Sequence, residues 1–162
     1  MRKVLFVIAS VFTLSAVNAQ TSKGTLLLGG QASFNANTTS GGGSYFIASP
    51  QIGGFVADNV AVGAAADLAT GGGSTAYSIM PFVRPYFGGS DAGKFFAQAK
   101  AGLAGTSGEG GSDTNFGYGA GVGYAIFLNQ STALELGVNY ASFGSGTGVI
   151  SVGVGFQIHF KK

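Results

Sequence analysis

The C-terminal segment alternates without a break. Ile150, Val152, Val154, Phe156, Ile158 and Phe160 share one parity, and Ser151, Gly153, Gly155, Gln157 and His159 share the other. A period of two places successive side chains on opposite faces of a β-strand, whereas a helix would scatter these residues around its axis. The segment is therefore read as a strand with one greasy face and one small or polar face. Roughly ten residues of this kind is the length of a tilted strand that crosses a bilayer with lipid outside and a polar lumen inside.

Seven earlier segments read the same way. The first sets Leu26, Leu28, Ala32 and Phe34 outward against Thr25, Gln31 and Ser33 inward, and the second sets Phe46, Ala48, Pro50, Ile52 and Val56 against Ser49 and Gln51. In the third, Val60, Val62, Ala64 and Leu68 oppose Asp67; in the fourth, Tyr77, Ile79, Val83 and Phe87 oppose Ser78 and Arg84. The fifth places Phe95, Ala97, Ala99 and Leu103 against Gln98 and Lys100. The sixth alternates Phe116, Tyr118, Val122, Tyr124 and Ile126 with Gly117, Gly119, Gly121 and Gly123, and the seventh sets Leu134, Leu136, Val138 and Tyr140 against Glu135, Gly137 and Asn139. Pro50, Pro81 and Pro85 interrupt the second and fourth segments. Each lacks a ladder donor and belongs near a strand end, at a bulge, or where pairing is locally relaxed.

The connections alternate in character. Asn35 to Gly43, Thr70 to Ser74, Ala104 to Thr114 and Ser142 to Thr147 are rich in Gly, Ser and Thr and read as loops; Ala57 to Asn59, Gly88 to Gly93 and Asn129 to Ser131 read as tighter turns. Eight strands bring both chain ends to one side. Short turns are periplasmic in barrels of this kind, which assigns the four loops to the extracellular side. An open sheet this greasy would leave unpaired backbone groups in hydrocarbon, at several kcal/mol each, so the sheet has to close. Eight strands enclose a lumen just wide enough for side chains to fill. The expectation is an all-β, eight-stranded, antiparallel, up-and-down transmembrane barrel, held by its ladder and the lipid rather than by a large water-excluding core. Aromatic girdles are expected at Phe34, Phe46, Tyr77, Phe116, Tyr140 and Phe143 on the outer side, and at Phe87, Phe95, Tyr124, Phe127, Phe156 and Phe160 on the periplasmic side.

Only 9% of the 162 residues are charged and 30 are glycine, a composition ill suited to a dissolved globular protein. The N-terminus explains the one long apolar run. Arg2 and Lys3 precede an apolar stretch from Val4 to Val17, and Val17-Asn18-Ala19 suits a signal-peptide cleavage site. Residues 1–19 are thus read as a secretory leader and 20–162 as the barrel domain. Without Arg2 and Lys3, six basic residues balance six acidic ones. The net charge then gives no reason to expect a nucleic-acid partner. The chain has no cysteine, so disulfides do not hold the fold.

Certain stretches carry a family resemblance: the leader, Pro50-Gln51-Ile52-Gly53-Gly54-Phe55-Val56 running into Asp58-Asn59-Val60-Ala61-Val62-Gly63, Pro81-Phe82-Val83-Arg84, and the alternating strand ending in Phe160. In these the mature chain resembles the outer-membrane protein beta-barrel domain family, which includes the small barrels of outer membrane proteins A and X. The resemblance implies a bacterial outer-membrane location, outer-membrane lipid as surroundings, and a C-terminal signal (Phe156, Ile158 and Phe160) read by the barrel-assembly machinery. Here Lys161 and Lys162 follow the terminal aromatic, a departure from that pattern.

Four charged residues fall on the inward parity: Asp67, Arg84, Lys100 and Glu135. Unpaired charges in a narrow lumen would be costly, so they are expected to pair in one connected network. His159, the only histidine, has no nucleophile or orienting partner nearby in sequence and is read as a lumen or rim residue. Gly119-Ala120-Gly121-Val122-Gly123 lacks the lysine of a phosphate loop and is assigned to the inward face. No catalytic group, metal site or cofactor is expected. The leading functional reading is a non-enzymatic structural or surface-interaction protein, working as a subunit of a larger outer-membrane complex. Its rivals are a small ion channel with a charged lumenal gate and, further off, a lipid-modifying barrel enzyme.

Overall fold

A computed structural model describes residues 20–35, 45–71, 74–108, 111–142 and 148–161. The expected leader at 1–19, most of the expected loops Asn35 to Gly43 and Ser142 to Thr147, and the expected girdle residue Phe143 lie outside the described residues. The chain forms β1 (Leu26–Asn35), β2 (Tyr45–Ala57), β3 (Val60–Gly71), β4 (Ser74–Ser90), β5 (Gly93–Gly108), β6 (Gly111–Phe127), β7 (Thr132–Ser142) and β8 (Gly148–Phe160). Each strand pairs antiparallel with the next, and β1 pairs with β8 from Leu26↔Phe160 to Ser33↔Gly153, so the sheet is closed. This is an eight-stranded up-and-down transmembrane β-barrel, the architecture that alternation and closure demanded.

Side-chain parity follows the sequence pattern in every strand. On β8 the outward residues Ile150, Val152, Val154, Phe156, Ile158 and Phe160 are exposed, while Ser151, Gly153, Gly155, Gln157 and His159 are buried. Outward aromatics cluster near the strand ends: Phe34 pairs with Phe46 at one end, and Phe87, Phe95 and Tyr124 make successive ring contacts at the other.

The prolines sit mid-strand and outward or half-buried, with pairing relaxed on one side. Residue partners between β2 and β3 lapse at Ser49–Pro50, and those between β4 and β5 lapse at Met80–Pro81 and Arg84–Pro85, while the opposite neighbour stays in register. A strand residue donates its N–H toward one neighbour only, so a missing donor weakens one side of the ladder.

Three turns close the end at which the described residues begin, at Gln20, and finish, at Lys161. Asn59, with φ 62°, occupies the left-handed region in the β2–β3 turn, which suits asparagine. Gly88 and Gly89 have φ 57° and 79° at the bulge where the β4–β5 register shifts, a conformation that favours glycine.

Two expectations need correction. Residues 104–114 are mostly ladder, not loop: Ala104↔Asn115 continues through Gly108↔Gly111, and the β3–β4 connection likewise narrows to residues 72–73 after Gly71↔Ser74. Thr106 and Ser107 on β5, and Asp113 to Phe116 on β6, are exposed on both parities, so alternation vanishes there although the backbone still pairs. The second correction concerns the interior. Leu27, Phe55, Ala61, Ala65, Phe82, Tyr86, Phe96, Ala125, Phe127 and Ala133 form a buried apolar cluster inside the barrel. Phe127 therefore belongs to the lumen and not to the girdle. Inward glycines admit the rings: a Cβ on Gly63 would stand 2.7 Å from Phe82 Cζ, and one on Gly123 would stand 2.5 Å from Phe96 Cζ.

Candidate functional site: a lumen in two layers

All four charged residues singled out from the sequence project into the lumen, and they form two groups. Near the middle of the barrel, Arg84 on β4 donates from Nη1 to both carboxylate oxygens of Glu135 on β7, at 2.9 and 3.0 Å. Arg84 is only 1% exposed and Glu135 fully buried, so the pair crosses the barrel interior rather than lying on its wall. Arg84 Nε donates to Gln98 Oε1 at 2.6 Å, and Nη2 donates to Gln51 Oε1 at 3.2 Å. Glu135 also accepts from Tyr86 Oη at 3.4 Å and from Gln157 Nε2 at 3.2 Å. The guanidinium carbon lies 4.6 Å from the centroid of the Phe96 ring and 5.7 Å from that of Phe82. Stacking on aromatic faces suits the weakly hydrated guanidinium better than an ammonium.

The second group stands closer to the looped end. Lys100 Nζ donates to both oxygens of Asp67 at 2.7 Å. Asp67 accepts further bonds from Ser49 Oγ at 2.7 Å and Ser78 Oγ at 2.5 Å. The lysine side chain is 13% exposed. No hydrogen bond among the described residues joins this group to the Arg84 group. Register explains the split: Asp67 sits opposite Ser78, and Arg84 lies six residues further along β4, opposite Ala61. Four charges on one parity gave no information about height along the barrel axis.

Below the Arg84–Glu135 pair, rings close the lumen. Phe55 contacts Tyr86 at 5.6 Å between centroids, Tyr86 contacts Phe96 at 5.9 Å, and His159 lies between Phe55 and Phe127 at 6.0 and 5.9 Å. His159 is buried, and neither ring nitrogen has a hydrogen-bond partner. A nucleophile or general acid–base role needs a hydrogen-bonded orienting group, which these ring neighbours do not supply.

The segment before β1 completes the floor. Gln20 and Thr21 are buried; Asn59 N donates to Thr21 O at 2.7 Å, Gly24 N donates to Phe55 O at 2.9 Å, and Lys94 Nζ donates to Asn59 Oδ1 at 2.6 Å. Gln20 Nε2 donates to Asn129 O.

The sequence reading missed the ring layer. Its signal was present, because Phe82 and Tyr86 share parity with Arg84, Phe55 shares it with Gln51, and Phe96 with Gln98. Parity would have sent them inward. Only the expectation of a polar lumen stands against that placement.

No protein-family model matches the sequence, and no curated protein matches it. Solved structures do share the fold. Neisserial surface protein A superposes with a TM-score of 0.69 at 18% identity, covering 85% of this chain and 98% of that one. The N-terminal β-barrel domain of OprF from Pseudomonas aeruginosa gives 0.65 at 14% identity, covering 85% and 98%. A de novo designed transmembrane β-barrel gives 0.60 at 10% identity, covering 87% and 99%. The resemblance to small outer-membrane barrels thus holds at the level of fold. That a designed barrel shares the shape means that shape assigns architecture and leaves activity to the site.

Proposed function

We propose that the chain is a non-enzymatic protein of the bacterial outer membrane, exported by its leader and lodged as a closed barrel. The barrel serves as a rigid support for its surface connections and as a subunit of a larger membrane complex. The observation that carries this reading is the blocked lumen. The Arg84–Glu135 pair, the rings of Phe55, Tyr86, Phe96 and Phe127, and the docked residues Gln20 and Thr21 stack between the polar chamber and the turn-bearing end. A solute would have to displace a buried ion pair and several rings, which argues against a standing pore.

Outward apolar side chains on every strand support lipid as the immediate surroundings. The outward stripe Phe156, Ile158 and Phe160 on β8 supports its role as the segment presented to the assembly machinery, with Lys161 exposed beyond it. Burial of Gln20 against the floor fits a mature chain that begins there.

A small channel is the second reading, favoured by the polar chamber around Lys100 and Asp67. Planar-bilayer recording of the refolded protein separates the two. The expected result is an absence of stable unitary currents; steady currents abolished by Arg84→Ala would overturn the support role in favour of conduction. Purification from native membranes in mild detergent tests the complex, with one stoichiometric partner expected.

A further inference from the structure

The residues from Gln20 to Thr25 lie ahead of β1 as a strap across the floor of the barrel. Thr21 is tied to the β2–β3 turn: its hydroxyl donates to Asn59 Oδ1 at 2.7 Å, and its carbonyl accepts from Asn59 N at 2.7 Å. Gln20 is tied to the β6–β7 turn, where its side-chain amide donates to Asn129 O. Anchored at two separate turns, the strap holds its first residue down, and Gln20 is only 1% exposed. Beside it opens a cavity of about 230 Å³ whose polar lining includes Gln20, Gln130, Ser131, His159 and Lys161. Among the described residues no Asp or Glu lines it. Gln20 Oε1 has no hydrogen-bond partner.

On the reading that the leader ends at Ala19, Gln20 becomes the first residue of the mature chain. Its α-nitrogen is then an amine, which in water is mostly protonated at neutral pH. That charge would be badly placed here. A buried cation needs a carboxylate beside it, and the cavity next to Gln20 supplies Lys161 instead. Lys94 Nζ adds a second cation nearby, on the Thr21 hydroxyl at 3.2 Å. Asp58, which accepts from Lys23 N at 2.8 Å, is exposed. Burial without a counter-charge favours the neutral amine, and the neutral amine is the nucleophilic form. An electrophile lies within the same residue, because the α-nitrogen and Cδ of glutamine can close an unstrained lactam ring.

We propose that Gln20 is a modification site: released by leader cleavage, it closes to pyroglutamate, and the folded floor promotes the closure. The α-nitrogen attacks Cδ, the Cδ–Nε2 bond breaks, and Nε2 leaves as ammonia with a proton from the attacking amine. The step needs no oxidant or other reactant. It removes the charge from the terminus. The ring nitrogen takes the place on Cδ that Nε2 held and keeps one N–H for Asn129 O, while the oxygen stays an acceptor. The mature chain then starts as a compact neutral ring set against the floor.

The test begins with the full chain expressed with its own leader, extracted from the outer membrane in detergent and weighed intact, its N-terminal peptide being sequenced by fragmentation. Residues 20–162 less one ammonia, lost at residue 20, are expected. Residues 20–162 at full mass would overturn the ring and leave the cleavage standing. A chain that starts elsewhere would overturn the cleavage, and the proposal with it. Gln20→Asn keeps an amide but is one methylene too short to close this ring, so it is expected at full mass. A missing ammonia in that variant would put the loss at another residue and overturn the proposal. The contribution of the fold is read from rates. The mature chain, freshly released from a fusion partner with a free Gln20 amine, is refolded in detergent or held in urea at one neutral pH. Ammonia loss is expected to be about fivefold faster in the folded barrel, as more of the amine is neutral there. Equal or slower loss in the barrel would overturn the promotion by the floor.

Discussion

In the half of the lumen next to the tight turns, Arg84 is clasped by Glu135 and flanked by the rings of Phe82 and Phe96. In the half next to the loops, Lys100 holds Asp67 at the same kind of distance, but with hydroxyls and amides around it and part of the lysine in contact with solvent. Both pairs project from the inward parity and join strands that are not neighbours, β4 to β7 and β3 to β5. Their surroundings make one a plug and the other the wall of a polar, partly solvent-accessible chamber. A dry site magnifies the cost of breaking a pair, because the remaining ion can neither rehydrate nor find another partner. A site near water softens it. The same ion-pair chemistry should therefore produce two very different energies in one small protein, and mutation can test the contrast.

The largest effect is expected at the plug. Glu135→Ala leaves the Arg84 guanidinium unpaired among rings, and a loss of about 3–5 kcal/mol in unfolding free energy is expected. Urea titration of the refolded barrel in detergent measures it. The double variant Arg84→Met with Glu135→Leu removes both charges and should be more stable than either single variant. If the singles cost no more than the double, the plug is not a desolvated pair and the contrast between the two layers collapses.

Phe96→Ala comes next, at about 3 kcal/mol, from the lost ring packing and the cavity it leaves beside Tyr86. Because this ring helps separate chamber from floor, the variant should also raise ion leakage in bilayer recordings. A loss of stability without leakage would show that the remaining rings seal the lumen alone.

Asp67→Asn should cost only about 1 kcal/mol. The amide oxygen can still accept from one serine, and Lys100 can turn toward the water it already touches. A cost as large as that of Glu135→Ala would mean that the chamber is as dry as the plug.

Most of the barrel was legible because lipid imposes a strict rule on one face. Greasy residues at every second position of Ile150 to Phe160 admit few alternatives, and all eight strands could be placed from that single periodicity. The lumen face obeys a looser rule. It tolerates Glu135 and Gln157 beside Phe82 and Phe96, so polarity predicts only part of what fills it. Height along the axis was not legible either, because register depends on strand tilt and on bulges such as the one at Phe87/Ser90. This is why Asp67, Arg84, Lys100 and Glu135, four residues read as one network, separate into two.

The smallest expected effect lies where the rule stops applying. Thr106 and Ser107 are consecutive on β5, have opposite parity, and are both exposed; they pair with Asp113 and Ser112 on β6. Inside the bilayer, adjacent positions of this kind differ sharply, as exposed Val152 and buried Ser151 do on β8. If the β5–β6 extension stands clear of lipid, water wets both faces and the distinction disappears. Thr106→Asn and Ser107→Asn should then each change stability by less than about 0.5 kcal/mol, and by similar amounts. A marked difference between the two would place this part of the hairpin within the apolar layer, moving the membrane boundary outward and bringing the chamber deeper into the bilayer with it.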